Sequence, residues 1–380
     1  MDFSLTEDQR LIQETAANFA SSVLEPAADK VASDRALFLQ NLNALAELGF
    51  MGLNVSADYG GSDAGTVAFS LAITEIAKAC ASTAVTVSVN NMVAEVIESV
   101  ADEAQKTRYL PRLCDGTYPA AGFCLTEASA GSDPAAMRTT ATRDGDDWVL
   151  NGSKLYITSA EYAGLFVVWA VTDKSAAKGR GISCFLVEAD TPGITIGAAE
   201  KKMGQHASST NEVVFSDCRV PASALMGREN QGYKIAVTEL TGGRIGIASL
   251  ALGLGFAAMD YAKAFIQERT QFDQRIAEFQ GVQWMVSDAY TELEAARLLT
   301  MQAAYHKQAG LPYAKQASMA KLYASETANK VCGTAVQLLG GAGYLEDHPV
   351  ERYLRDARIT TIYEGTSQIQ KIIISKHLFA

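Results

Sequence analysis

Glu364 is a lone carboxylate within Ile362-Tyr363-Glu364-Gly365-Thr366-Ser367-Gln368, a glycine-containing stretch that opens the last helical segment. Such a group is a candidate proton acceptor; near a helix N-terminus it would also complement the helix dipole. Three other segments carry groups suited to holding a ligand around it. Phe123-Cys124-Leu125-Thr126-Glu127-Ala128-Ser129-Ala130-Gly131-Ser132-Asp133 is small and hydroxyl-rich, a loop whose N–H groups and hydroxyls hold carbonyls and phosphates, or simply cap the next segment. Asn151-Gly152-Ser153-Lys154-Leu155-Tyr156-Ile157-Thr158 reads as a hairpin whose outgoing strand alternates Lys154, Tyr156 and Thr158 on one face. That face is either a flat ring beside a hydroxyl for a ligand or an ordinary exposed surface. Gly340-Gly341-Ala342-Gly343-Tyr344 follows Val336-Gln337-Leu338-Leu339, where glycines permit a left-handed cap and close ligand approach, or only stop the helix.

The elements that must position these groups follow from periodicity. Thr6 with Gln9 forms a capping box, and Leu11, Ile12, Thr15, Phe19 and Val23 recur at helical spacing until Pro26. Helical patterns continue to about Asp115. The period then shortens: Trp148-Val149-Leu150, Leu155-Tyr156-Ile157, Phe166 to Trp169, Ile182 to Val187 and Val213 to Phe215 read as strands, with turns at Asp144-Gly145 and Asn151-Gly152. Long helical patterns return over Gly246 to Arg269, Gln280 to Gln308, Pro312 to Leu339 and after Thr366, as in an antiparallel bundle. The fold class is α+β, mostly α: an N-terminal helical domain (1–118), a central β domain (119–227) and a C-terminal four-helix bundle (228–380). Helices segregated from strands exclude a doubly wound sheet, and 380 residues fit two or three domains.

With 32 Lys+Arg against 43 Asp+Glu the net charge is −11, which argues against nucleic acid and anionic membrane surfaces as partners. The N-terminus, Met1 to Asp8, lacks the pattern of a secretory signal, and the charge-free run Ile245 to Met259 is shorter than the roughly 18 residues of a membrane span. Six cysteines lie far apart without a C-x-x-C pair, as expected of a cytoplasmic or mitochondrial-matrix-type chain. Gly253-Leu254-Gly255-Phe256-Ala257-Ala258 fits a loose dinucleotide pattern but falls within a helix, where small residues serve packing. His206, His306, His348 and His377 lack metal-ligand spacing, so no metal is expected. Arg352, Arg355 and Arg358 alternate with Glu351 and Asp356 as at a salt-bridged seam.

In order and spacing, these segments resemble the acyl-CoA dehydrogenase flavoproteins from about Leu5 to Leu378. Lys202-Met203-Gly204, Val220-Pro221, Gly243-Arg244-Ile245-Gly246-Ile247-Ala248, Arg269 to Phe272, Gln337 to Gly341 and Arg355-Asp356-Ala357-Arg358-Ile359 extend the likeness. The resemblance implies FAD between the β domain and the bundle of a homotetramer. Phe123, Leu125, Thr126 and Ser132 would line the flavin and its phosphates, with Tyr156 and Thr158 on the ring. Arg269, Phe272 and Gln280 would meet the FAD of a neighbouring subunit, helped by Gln337, Gly340 and Gly341, while Thr366 and Gln368 touch the adenylate end. Ser132, Thr241, Arg244 and Gly365 match substrate-side positions.

The implied reaction is α,β-dehydrogenation of an acyl-CoA thioester, Glu364 taking the pro-R α-proton while the β-hydride passes to flavin N5. Relatives that carry the base just before the arginine matching Arg244 differ here, where Gly243 stands. Tyr156 replaces the commoner Trp or Phe, Thr241 a frequent Asp, and Asp273 the usual Gly. No Lys or Arg lies between Lys78 and Lys106, where glutaryl-CoA enzymes place an arginine, so a neutral, short, straight or branched acyl group is expected. An electron-transfer flavoprotein is the implied electron acceptor. The alternatives are an acyl-CoA oxidase, which usually carries a further C-terminal domain, and a non-catalytic flavin- or acyl-CoA-binding or nucleic-acid-associated protein on the same scaffold, whose basic surface and C-terminal extension this sequence does not show.

Overall fold

A computed structural model describes residues 4–379; Met1, Asp2, Phe3 and Ala380, including the first residues of the N-terminal reading, lie outside the described residues. Helix α1 (Glu7–Phe19) starts at the expected capping box, Thr6 Oγ1 accepting from the Gln9 N–H at 3.2 Å and Gln9 Oε1 from the Thr6 N–H at 3.0 Å. A π-helical turn (Ala20–Leu24) carries it into the short α2 (Glu25–Ala27), so Pro26 occupies a first-turn position instead of ending the run. Then come α3 (Arg35–Glu47), α4 (Gly65–Ala79), α5 (Ala81–Val100) and α6 (Glu103–Cys114). Helix α5 is buried along most of its length, with α7 on one side and the sheet on the other.

The sheet comprises β1 (Ala120–Cys124), β2 (Thr140–Asp144), β3 (Asp147–Thr158), β4 (Ala163–Val171), β5 (Ile182–Glu188), β6 (Ile194–Ile196), β7 (Thr210–Pro221) and β8 (Leu225–Met226). Its order is β6-β7-β3-β2-β4-β5-β8, and β1 pairs in parallel with β4. Strand β4 is apolar throughout because both faces are covered: Leu165, Val167 and Trp169 join a core with α5 and α6, whereas Phe166, Val168 and Ala170 face the core of the β layer. Each such large side chain contributes roughly 1.5–3 kcal/mol by leaving water.

The turn at Gly145 joins β2 and β3 as expected, but the Asn151-Gly152 hairpin does not exist. The two expected strands are one, and the ladder with β7 shifts register between Leu150 and Gly152. Asn151 instead bridges the bulge, its Oδ1 accepting from the Asp217 N–H at 2.8 Å. A second shift between Lys154 and Ile157, with Tyr156 at φ +58°, splits the expected face: Lys154 is 0% exposed and Tyr156 63%.

Helix α7 (Gly232–Glu268) begins well before the expected Gly246. It is joined to the β domain by the Trp169 Nε1–H, which donates to the Gly232 carbonyl at 2.8 Å. It is long and apolar enough to cross a membrane, yet 78% of its most apolar window is buried within the protein. Its Gly253 lies so close to α4 that a Cβ would come 2.3 Å from the Thr74 carbonyl oxygen, which is the expected packing role. A hairpin of β9 (Thr270–Gln271) and β10 (Gln274–Arg275) leads into α8 (Gln280–Gln308), α9 (Ala314–Leu339), α10 (Val350–Arg358) and α11 (Ser367–Leu378). The hairpin loop, Phe272 at φ +54° and Asp273 at φ +59°, is a two-residue turn with both φ positive; that backbone accounts for glycine being usual at the second position. After α9, Gly340 has φ +61° and ψ −135°, so it is not the expected left-handed cap, although glycine still suits it. Two of the three arginines of α10 form a seam: Arg352 pairs with Asp29, and Arg355, paired with Glu351 at 2.6 Å, reaches the Met203 carbonyl at 3.3 Å, whereas among the described residues the Arg358 side chain bonds only Thr361.

Candidate active site

Glu364 stands between α10 and α11, after a 3-10 turn (Ile359–Thr361), with φ +51° followed by Gly365 at φ +92°. Two successive left-handed residues reverse the chain, and Thr366 then caps α11, its Oγ1 accepting from the Ile369 N–H at 3.3 Å. The turn is pinned from below. Gln370, fully buried, donates from Nε2 to the carbonyls of Glu364 at 3.3 Å and Gly365 at 2.8 Å, and Lys321 Nζ donates to the Gly365 carbonyl at 2.8 Å.

The carboxylate itself is left alone. Glu364 Oε2 is buried without a hydrogen-bond partner, and a Cβ placed on Gly243 of α7 would meet it at 2.5 Å and Met92 Sδ of α5 at 2.7 Å. The absence of a side chain at 243 is therefore what admits the carboxylate. Burial pushes the Glu364 carboxyl up to about 7, against the opposing pull of the Lys321 and Arg244 charges. Arg244 is 5% exposed and makes only long contacts, 3.4 Å to Thr241 Oγ1 and 3.5 Å to Ser318 Oγ, with Nε unpartnered. Thus Glu364, Gly365, Thr241 and Arg244 lie in one neighbourhood.

The hydroxyl-rich loop and the end of β3 form a second one, joined where the Leu155 N–H donates to the Thr126 carbonyl at 2.8 Å. Phe123 packs on Trp169, ring centroids 4.3 Å apart, and Leu125 is buried. Beneath them the Lys154 ammonium contacts Glu127 Oε1 at 2.8 Å, and Glu127 also accepts from the N–H groups of Arg138 at 2.6 Å and Thr139 at 3.0 Å. Burial pushes the Glu127 carboxyl up, but Lys154 and the N–H donors outweigh it and hold the group below its ordinary value. Arg269, Phe272 and Gln280 project on and beside the β9–β10 hairpin, with Phe272 88% exposed and stacked edge-on against Phe279. Gln337, Gly340 and Gly341 stand exposed at the end of α9, and a Cβ on either glycine would meet nothing within 4 Å.

Lys321 and the Lys154–Glu127 pair escaped the sequence reading. The signal for Lys321 was available: it shares its helical face with Ala317, Ala324 and Ala328, a lone charge among small buried residues.

This fold belongs to a known class of flavoenzyme. The N-terminal, middle and C-terminal domain models of acyl-CoA dehydrogenase match residues 6–117, 122–218 and 230–379, and the chain belongs to that family. It is an FAD-dependent acyl-CoA dehydrogenase. It is 42% identical to the short-chain specific acyl-CoA dehydrogenase of Clostridium acetobutylicum, over 100% of both chains. The solved butyryl-CoA dehydrogenase of Megasphaera elsdenii is 40% identical, with a TM-score of 0.96 over 100% of both chains. A chain in a structure reported for the electron transferring flavoprotein of Acidaminococcus fermentans is 43% identical, with a TM-score of 0.96 over 100% of this chain and 99% of that one.

The residues present fit FAD. Among the described residues, the side chains of Thr126, Ser132, Thr158, Arg269, Gln280, Gln337 and Gln368 make no hydrogen bond or ion pair within the subunit, which leaves hydroxyl, amide and guanidinium donors for a polyanionic dinucleotide. Tyr156 adds an exposed ring.

Proposed function

We propose that this enzyme oxidises a short acyl-CoA, straight or branched, at its α,β bond, with Glu364 as the base that takes the α-proton. The observation that carries the reading is the buried, unpartnered Glu364 Oε2 in the space left by Gly243. A carboxylate raised to about 7 is basic enough to accept a carbon-bound proton and is still substantially ionised near neutral pH. As the proton leaves, negative charge grows on the thioester oxygen, which needs a donor. The Glu364 N–H is unspent among the described backbone bonds and sits on the same turn, so one residue would supply both base and oxyanion donor. Bound FAD supplies the acceptor for the β-hydride. Phe123, Leu125, Thr126, Ser132, Tyr156 and Thr158 would hold its flavin and phosphates, and Thr366 and Gln368 its adenylate end.

Arg269, Phe272, Gln280, Gln337, Gly340 and Gly341 would complete the FAD site of a neighbouring subunit in a homotetramer; the 88% exposure of Phe272 in the single chain supports this. Ser132, Thr241, Arg244 and Gly365 would meet the thioester and CoA. Three units, 1–118, 119–227 and 228–380, would thus act as one catalytic body, in the cytoplasm or a mitochondrial matrix, with an electron-transfer flavoprotein as electron acceptor. The likeness to the Acidaminococcus fermentans structure supports that partner. Short-chain preference is supported by the Clostridium and Megasphaera relatives and by Met92 close against Gly243. Anaerobic reduction of the bound flavin by acyl-CoAs of graded length and branching tests the reading. Butyryl- or isobutyryl-CoA is expected to bleach it fastest; fastest reduction by chains of about eight carbons or more would overturn the short-chain assignment.

A further inference from the structure

Lys321 lies in the third turn of α9 and is 0% exposed. An ammonium removed from water is costly unless its charge is compensated. Among the described residues it makes no ion pair, and its hydrogen bond goes to the Gly365 carbonyl at 2.8 Å. The strongest charge acting on it is that of Glu364, followed by Arg244 and Glu326. The arrangement leaves the carboxylate free. An ammonium seated on a Glu364 oxygen would occupy the atom that receives the proton and lower its basicity. Seated on the next carbonyl, it supplies positive charge and fixes the turn while both oxygens remain open.

We propose that Lys321 is a positioning residue for the dehydrogenation: anchored on the Gly365 carbonyl, it holds the left-handed turn that aims Glu364 and lends that carboxylate a compensating charge. The proposal rests on Glu364 being the base. The other elements around Glu364 do not duplicate this role. From α7, Arg244 adds charge but does not bond the turn, and Glu239 acts in the opposite sense, itself flanked by Glu95 of α5 and Lys307 of α8. From α5 comes the neutral Met92, from α11 the neutral Gln370, and from the turn itself the Tyr363 phenol, whose oxygen accepts from Gln205 Nε2 at 3.2 Å.

The test is the pH dependence of anaerobic flavin reduction by butyryl-CoA in FAD-loaded wild type, Lys321→Met, Lys321→Arg and Glu364→Gln. The wild-type rate is expected to rise with pH through about 7 as Glu364 ionises. Lys321→Met should move that midpoint up by about one pH unit, slowing reduction about tenfold at low pH and much less at high pH, while Lys321→Arg keeps the wild-type midpoint. A purely structural lysine would lower the rate equally at every pH. An unshifted midpoint in Lys321→Met, with Glu364→Gln inactive, overturns the role of Lys321 and leaves the base standing; wild-type reduction by Glu364→Gln overturns both. If Lys321→Met does not fold, the double variant Lys321→Met/Glu364→Gln is expected to recover FAD-loaded protein, because no uncompensated carboxylate is left. A double variant no more stable than the single one overturns the pairing.

Discussion

Glu127 and Glu364 are both carboxylates largely withdrawn from water near a fully buried lysine, and they end in opposite states. In the β domain, Lys154 touches Glu127 at 2.8 Å, and backbone N–H groups satisfy the remaining lone pairs, so the carboxyl falls below its ordinary value. In the bundle, Lys321 bonds a neighbouring carbonyl, Gly243 withholds a side chain, and the Glu364 carboxyl rises to about 7. The residue types match; the seat of the ammonium and the supply of backbone N–H donors differ. Direct contact makes a strut, whereas displacement by one residue leaves a raised, unpartnered carboxylate.

The sharpest way to test this contrast is to remove one charge from each site and measure different things. Glu364→Gln is expected to keep its FAD and to reduce it about 10²–10⁴-fold more slowly with butyryl-CoA under anaerobic stopped flow. For the strut, Lys154→Met should cost about 3–5 kcal/mol in urea unfolding, since Glu127 is then buried unpaired. Lys154→Met/Glu127→Leu should recover most of that loss; a double variant as unstable as the single one would make the site depend on the charges themselves. Gly243→Ala, whose Cβ falls 2.5 Å from Glu364 Oε2, should slow flavin reduction about 10- to 100-fold by displacing the carboxylate while leaving the fold intact.

The smallest effect reverses the usual sign. Because the folded-state value of Glu364 is raised, its contribution to stability is fully present below about 4.5 and is lost as pH rises through about 7. Glu364→Gln should therefore stabilise the protein by about 1–3 kcal/mol at pH 8 and change little at pH 4, measured by denaturant midpoints. Equal stability of the two proteins at both pH values would mean that the carboxylate is solvated and not poised.

The Glu364 turn was legible because a lone Glu before glycine, at the start of a helix, is a local pattern. The lysines were not. Lys154 lies inward in phase with Trp148 and Leu150, and the bulge after it, which turns Tyr156 outward and parts the two side chains, depends on pairing with β7, far along the chain. Asn151-Gly152 suits a hairpin and a bulge equally well, and only the partner strand decides between them. The first turns of α7 carry a weak local signal because Thr238, Thr241, Gly242 and Gly243 are poor helix formers; packing against α4, α5 and α9 overrides their preference. By contrast, α8 has the bounds its sequence predicts, with buried, mostly small residues at helical spacing from Ala289 to Ala304 and Gly310 just beyond its end.

The glycines of α7 have a bearing on how the chain acquires its structure. Gly242, Gly243, Gly246, Gly253 and Gly255 each weaken an isolated helix by about 1 kcal/mol relative to alanine, a total comparable to the net stability of a small domain. Taken out of the protein, this segment should be largely unstructured. Its helicity is conferred by neighbours that arrive from both ends of the sequence, so the wall facing Glu364 cannot form ahead of the rest. Amide hydrogens in the middle of α7 should accordingly exchange only when the whole molecule opens, and the Glu364 turn packed against it should share that all-or-none character.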